Sequence, residues 1–472
     1  MLAQLQTSSG TVLSDEAVRR LQASFNGQVI GPGDQEYDGA RKIRAANFDT
    51  FPALVARPAD VIDVIRAVNF ARQNQVAVAV RSGGHSFAGY STVNGGLVID
   101  LSAMKDIAID PERRVARVQP GLTWAEYAVE ANKYGLATSS GDVGSVGVGG
   151  LIMGGGIGWM VRKHGLTIDH LISVDLVTAD GRFVTASADE NPELFWAVRG
   201  GGGNFGIATS FELQLHPAGT ILGGAVFYSG ADGKQVLREY ARYANEAPDE
   251  LSTQALMLTA PPLPFIPQEL HGTPVILVVI AYNGDLQEGE RVVAPLRSLA
   301  TPIADFVGPM PYPAMFEIYE EATIRGRGEE VRSTYLDSVD DALIDTILEH
   351  FSQASSPLNA VQWRVLGGAM GRVAAEATAF AHRDKRYMVT LIANWLMPDD
   401  AQPHLEWLER FWTAVRPFGA GVYVNFLGLE GEARIREAYK PETYRRLAEV
   451  KRRYDPTNFL RLNQNVKPLV YV

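Results

Sequence analysis

The sequence predicts an α+β fold: an α/β half up to residue 217, an inserted region of antiparallel sheet plus helices over 218–415, and a C-terminal segment over 416–472. Three observations carry this reading. Short apolar, strand-like runs alternate with helical periodicity through the first half. The sequence Pro217-Ala218-Gly219 then forms a joint. Beyond it lie longer strands, such as Pro274–Ala281 and Tyr387–Trp395, among amphipathic helices. At 472 residues the chain exceeds one ordinary core, so two domains are expected.

Taken in order, Pro52–Ala56 reads as a strand. From Ala59 the residues Val61, Ile62, Val64, Ile65 and Val68 recur at helical spacing, with Asp60 in the first turn. Val76–Val80 is a second buried strand, and Leu97–Leu101 and Val115–Val118 follow. Trp124 to Lys133 reads as a helix closed by Tyr134-Gly135, where glycine suits the end of a helix. Leu171–Val177 and Phe183–Ala186 flank Asp180-Gly181, a hairpin turn.

Composition narrows the function. Hydrophobic residues make up 46% and charged residues 21%, which suits a folded globular chain. The net charge is −11 and no long basic run occurs, which disfavours nucleic acid and anionic membrane as partners. Met1 to Gln6 lacks a basic region followed by an apolar core, and no apolar segment is long enough to span a bilayer. A cytoplasmic protein is expected, as a monomer or homodimer. There is no cysteine, which removes disulfides, thiolate nucleophiles and cysteine-held metals. The eight histidines show no His-Glu-x-x-His spacing, so no metal site is expected.

The chemistry concentrates in glycine-rich segments. Arg81-Ser82-Gly83-Gly84-His85-Ser86-Phe87-Ala88-Gly89 puts a histidine inside a glycine turn directly after a strand. Val146-Gly147-Val148-Gly149-Gly150 runs on through Gly154 to Gly158 with apolar residues between the glycines. A linker would be polar there, so this block is expected to be buried against something flat. Asn191 to Arg199 leads into Gly200-Gly201-Gly202-Gly203-Asn204-Phe205-Gly206-Ile207, and near the C-terminus stands Tyr454-Asp455-Pro456-Thr457-Asn458-Phe459-Leu460-Arg461-Leu462-Asn463-Gln464-Asn465.

These four segments, in this order, resemble the vanillyl-alcohol oxidase superfamily of FAD-binding proteins, in its berberine-bridge-enzyme-like branch. The resemblance spans nearly the whole chain. It implies an FAD-binding domain of two subdomains, to which the C-terminal segment returns, with the inserted region forming a substrate domain. It also implies that His85 carries FAD covalently, and that Arg81, Ser82, Gly83, Gly84, Ser86, Gly89, Val146, Gly147, Gly149, Gly150, Gly154, Gly158, Gly203, Asn204, Gly206, Ile207, Asn463 and Asn465 surround the cofactor. Bicovalent members use a second link through a cysteine where this chain has Val143, so a single link is expected. In relatives the residue matching Val146 governs dioxygen access, and small side chains there accompany oxidase behaviour.

Substrate chemistry is expected from Gln362 and Arg364, on one face of a strand, and from Tyr423 and Asn425 on a second. Some members carry a carboxylate base where Arg364 stands. In several the residue matching Tyr423 deprotonates the substrate. A neighbouring guanidinium would lower the tyrosine's pKa from its usual value near 10. Arg364 is therefore expected to tune Tyr423, or to bind a substrate carboxylate. His382, Asp169-His170 and an exposed His164 are lesser candidates, and Tyr312, Phe316, Tyr319 and Trp395 are candidates for an aromatic lining.

The resemblance implies an oxidase that moves hydride from a carbon bearing a hydroxyl or amine to flavin N5, with a small-molecule substrate and dioxygen as partners. A flavin dehydrogenase, an oxidative cyclase of secondary metabolism and a flavin-binding protein without turnover are the alternatives.

Overall fold

The computed structural model describes residue 10, residues 12–320 and residues 324–470. The amino-terminal stretch Met1 to Gln6 lies outside them. Among the described residues the strands form three principal sheets and a two-stranded ribbon.

The first sheet pairs Leu54–Arg57 and Val78–Arg81 in parallel with the central Leu97–Asp100, and Gln28–Ile30 adds an antiparallel edge. The crossover helix Val61–Gln73 begins at Asp60, whose side chain accepts the Asp63 N–H. It buries Val64, Ala67, Val68 and Ala71, the spacing of one helix face. Leu97–Asp100 is buried throughout, as a strand in a covered parallel sheet must be.

The second sheet is antiparallel, in the order Ile107–Asp110, Val115–Val118, Ile207–Gln214, Leu171–Val177, Phe183–Ser187. The run of α/β crossovers expected from the sequence therefore stops after the first sheet. The links at 110–115 and 177–183 are too short to return a strand in parallel. The predicted turn at Asp180-Gly181 is present, with Gly181 at φ +81°. Helix Trp124–Asn132 opens with a reciprocal cap between Thr123 and Glu126.

The third sheet is antiparallel and has eight strands. Its central path runs Thr220–Ser229, Pro274–Tyr282, Leu251–Thr259, Ala360–Val365, Tyr387–Leu396, Arg327–Leu336. Period-two alternation divides its faces. Val226, Val278, Ala255, Trp363 and Val389 pack beneath the helices Gly233–Glu246, Asp341–Phe351 and Gln402–Val415. Phe227, Leu277, Leu256, Gln362 and Thr390 point the other way, into a cavity facing the first half of the chain.

After helix Pro441–Tyr454 the C-terminal segment folds back on the first half. Fully buried Lys451 donates to the Asp455 carboxylate and to the carbonyls of Asn204 and Leu460. The Asn204 side chain bridges the Gln464 carbonyl and the Val466 N–H. Among the described residues, no helix is long and apolar enough to cross a membrane.

Candidate active site

One cavity of about 730 Å³ lies between the glycine-rich loops and the face of the third sheet turned away from its helices. Its loop side is lined by Ser82, Gly83, Gly84, His85, Ser86, Val143, Val146, Gly147, Gly149, Gly150, Gly203, Gly206, Ile207 and Asn463. Two glycine loops meet there. A β-carbon on Gly83 would fall 2.3 Å from the Gly147 nitrogen. The loops can adopt this arrangement only with bare backbone at both positions.

His85 sits at the meeting point, its Nε2 3.0 Å from Ser145 Oγ. Burial, aided by the nearby Arg44 and Arg325 charges, pushes its pKa down to about 3. The imidazole is therefore neutral at physiological pH and keeps a nucleophilic nitrogen. Arg44 itself is paired with Glu329.

Six sequence-predicted contacts lie outside the cavity lining. Arg81 is turned away, its buried guanidinium held by Asp100 and by the Ala40 and Lys42 carbonyls. Gly89 lies against the Phe48 ring. Gly154 lies beneath the Asn425 amide, and Gly158 against the carbonyls of Ser140 and Gly141. Asn204 ties down the C-terminal segment, and Asn465 stands just beyond the lining residues Asn463 and Gln464. The glycines at the far end of the block thus make room for protein rather than lining the cavity.

Tyr423, Asn425, Gln362 and Arg364 also line the cavity. The expected strand around Tyr423 is instead a 3₁₀ turn, Val424–Phe426. That turn still brings the two side chains together. The Tyr423 hydroxyl accepts the Gly156 N–H at 2.8 Å and the Asn425 Nδ2–H at 2.9 Å. Its pKa moves opposite to the expectation: burial pushes it up to about 12, outweighing both hydrogen bonds and the Arg364 charge.

Arg364 has another partner. Its Nη2 donates to Asp142, and the guanidinium stacks over Phe426 at 4.8 Å. Asp142 Oδ2 also accepts from Gln254 Nε2 at 2.8 Å. Gln254 Oε1 in turn accepts from Gln362 Nε2 and Tyr319 Oη, both at 2.7 Å. Sequence reading missed Asp142, Gln254 and Ser145. A signal existed for two of them: Asp142 and Ser145 stand in Thr138-Ser139-Ser140-Gly141-Asp142-Val143-Gly144-Ser145, where Asp142 is the only charged residue.

Of the lesser candidates, Tyr319 alone lines the cavity. Tyr312 and Phe316 are core residues, and Trp395 stacks on His404. His382 bonds the Glu437 carbonyl. Asp169 pairs with Arg383 and accepts the Leu166 N–H. His164 is not exposed as expected; it stacks on His216, which bonds His170.

The residues present fit a long cofactor such as FAD. A β-carbon at Gly150 or Gly203 would meet no atom within 4 Å, so bare backbone fronts open space at both of these lining positions. Asn463 Oδ1 is buried without a partner.

The family described as "FAD binding domain" matches residues 52–187, and "Berberine and berberine like" matches residues 422–467. (R)-6-hydroxynicotine oxidase of Paenarthrobacter nicotinovorans is 32% identical, over 94% of this chain and 97% of its own. An uncharacterized FAD-linked oxidoreductase of Bacillus subtilis (strain 168), YgaK, is 30% identical over 95% and 98%. The crystal structure of 6-hydroxy-D-nicotine oxidase from Arthrobacter nicotinovorans superposes with a TM-score of 0.85 at 30% identity, covering 94% of this chain and 99% of that one. The protein is thus an FAD-linked oxidoreductase. The chain belongs to the berberine-like family of these enzymes.

Proposed function

We propose that this enzyme is an oxidase acting on a small molecule with a carbon that bears a hydroxyl or an amine, with dioxygen as the electron acceptor. Residues 1–217 and 416–472 hold FAD, through a single covalent link at His85, and residues 218–415 present the substrate. The observation that carries the reading is that His85 and Tyr423 line one cavity. FAD, when bound, would supply the hydride acceptor for the substrate carbon and the route for two electrons to dioxygen, with hydrogen peroxide as the reduced product.

The chain's own residues supply the rest. Gly83 and Gly147 bring the two loops against each other at His85, and the neutral imidazole is the attachment group. Val143 occupies the place of the second link, so His85 is the sole tether. Val146 leaves space for dioxygen. Tyr423 takes the substrate's hydroxyl or amine proton, as the phenolate held by the Gly156 N–H and the Asn425 amide. The oxidase relatives, among them the hydroxynicotine oxidase and a carbohydrate oxidase of Microdochium nivale, support the oxidase reading over a dehydrogenase.

The test is flavin fluorescence in the band of acid-denatured protein on a gel, with His85→Ala beside it. Fluorescence that survives denaturation and vanishes in the variant is expected. Free FAD released from wild type would remove the covalent link. Colourless protein prepared with FAD supplied would remove the proposal. Peroxide release on a panel of alcohols and amines then identifies the substrate.

A further inference from the structure

The cavity face of the third sheet is chemically divided. Strand register sets Phe227, Leu277, Leu256, Gln362 and Thr390 in one cross-strand row. The next row contains Gln254 and Arg364. Half of the face is therefore aliphatic and aromatic, extended by Leu258, Leu263 and Ile318. The other half is a polar cluster centred on Arg364.

That cluster is incomplete in one respect. The Arg364 side chain is 4% exposed, so its donors are withdrawn from water. Nη2 is satisfied by Asp142, while Nε and Nη1 have no hydrogen-bond partner. Thr390 Oγ1, also on the cavity face, is buried without a partner. Buried donors left unpaired are costly, and more so when charged. A ligand that supplies acceptors recovers that cost. Asp142 already neutralises the guanidinium, so the pair carries no net charge toward a ligand.

We propose that the cavity takes a compact substrate with an apolar ring or chain seated on Phe227, Leu256 and Leu277, and with an uncharged acceptor oxygen (carbonyl, phenol or hydroxyl) at the free N–H groups of Arg364. Asp142 is the positioning residue that holds Arg364 and sets this preference for a neutral group. A hydroxyl-rich sugar fits poorly, because the apolar half leaves its hydroxyls unpaired. This inference rests on the flavoprotein reading above and deepens it.

The test is ligand binding to the oxidised holoenzyme, read from perturbation of the flavin spectrum and by calorimetry. Three ring-sized probes are compared: acetophenone, with a neutral oxygen; benzoate, with a carboxylate; and ethylbenzene, with neither. Cellobiose is the fourth. Acetophenone is expected to bind at least about tenfold more tightly than ethylbenzene, the worth of one hydrogen bond to a charged donor. The double variant Asp142→Asn/Arg364→Met, which leaves no uncompensated charge, should erase that difference. Asp142→Asn alone should move the preference toward benzoate, because Arg364 then keeps its charge.

Equal binding of acetophenone and ethylbenzene overturns the proposal, as does tightest binding by cellobiose. So does a double variant that loses FAD but keeps ligand selectivity, which would give the free donors to the cofactor. A protein that takes up no flavin fails the functional reading instead, and calorimetry on that apoprotein still reports the selectivity.

Discussion

Gly83 and Gly147 pack backbone against backbone: a β-carbon on Gly147 would lie 2.2 Å from the Gly83 nitrogen, and one on Gly83 2.3 Å from the Gly147 nitrogen. Ser82 Oγ, 2.0 Å from the Gly147 β-carbon, could swing aside, but the backbone contacts remain, so the loops themselves must part to admit a methyl group. Gly83→Ala and Gly147→Ala are each expected to lower stability by about 1–3 kcal/mol, the usual cost of overpacking. Both should also lower the flavin content of purified protein, because His85 rides on the displaced loop. Gly150→Ala separates the two effects. Its β-carbon meets nothing within 4 Å, so thermal stability of the apoprotein should hold while FAD content falls. Full flavin content in Gly83→Ala would show that the loops close without this contact.

Tyr423 is held neutral in the free protein, with its pKa up at about 12 through burial. Two N–H donors occupy its oxygen, so the phenolate, once formed, is already solvated by protein. A base with so high a pKa is ionised in only a small fraction of molecules, a fraction that grows tenfold with each pH unit. The rate of anaerobic flavin reduction at low substrate should therefore climb with pH between 7 and 10, with a logarithmic slope near one. Tyr423→Phe should cut that rate by about 10²–10⁴-fold and flatten the profile. A wild-type plateau below pH 8, unchanged in the variant, would take the proton from another group.

What the sequence disclosed and what it concealed follow from the range of the forces involved. The parallel sheet, the 180–181 turn and the glycine loops were legible, because apolar periodicity and turn residues act within a few positions. Of the antiparallel second sheet only the Leu171–Val177 hairpin was legible; its long-range pairing was not, since Ile207–Gln214 pairs with Val115–Val118 across about ninety residues. The environment of Tyr423 was misread for a related reason. Arg364 lines the cavity, but its charge is engaged by Asp142, which is 222 positions away in sequence. Desolvation, the largest influence on Tyr423, depends on packing from Gly155 and Phe380 that no local pattern announces.

The C-terminal return depends on Lys451, whose ammonium is fully buried with Asp455 and bonds the carbonyls of Asn204 and Leu460. Lys451→Met strands a buried carboxylate and should lower stability by about 3–5 kcal/mol, measured by urea unfolding. Residues 455–466 should then exchange their amide hydrogens faster, and flavin retention should fall with them. Adding Asp455→Leu restores only part of the loss, because Asp455 also accepts the N–H groups of Phe459 and Leu460. A single variant as stable as wild type would mean the segment is held by its apolar contacts alone.

His164, His170 and His216 form a cluster where the second sheet meets the joint before residue 218. The rings of His164 and His216 stack at 4.1 Å, and His216 Nε2 lies 2.9 Å from His170 Nδ1. Burial pushes all three pKa values down, those of His164 and His170 to about 3, with further repulsion among the rings and from Lys163 and Arg114. In the unfolded chain each returns to its ordinary value near 6.5. Below that pH the unfolded state binds more protons than the folded one, so stability falls as pH drops from about 6.5 toward 3. Melting temperatures between pH 8 and 4 should decline over this window with proton uptake on unfolding. His170→Gln should make the decline shallower relative to wild type. The comparison with wild type cancels carboxylate titration, which both proteins share. Parallel curves for the two would assign acid sensitivity to those carboxylates and leave the histidine cluster without a part in it.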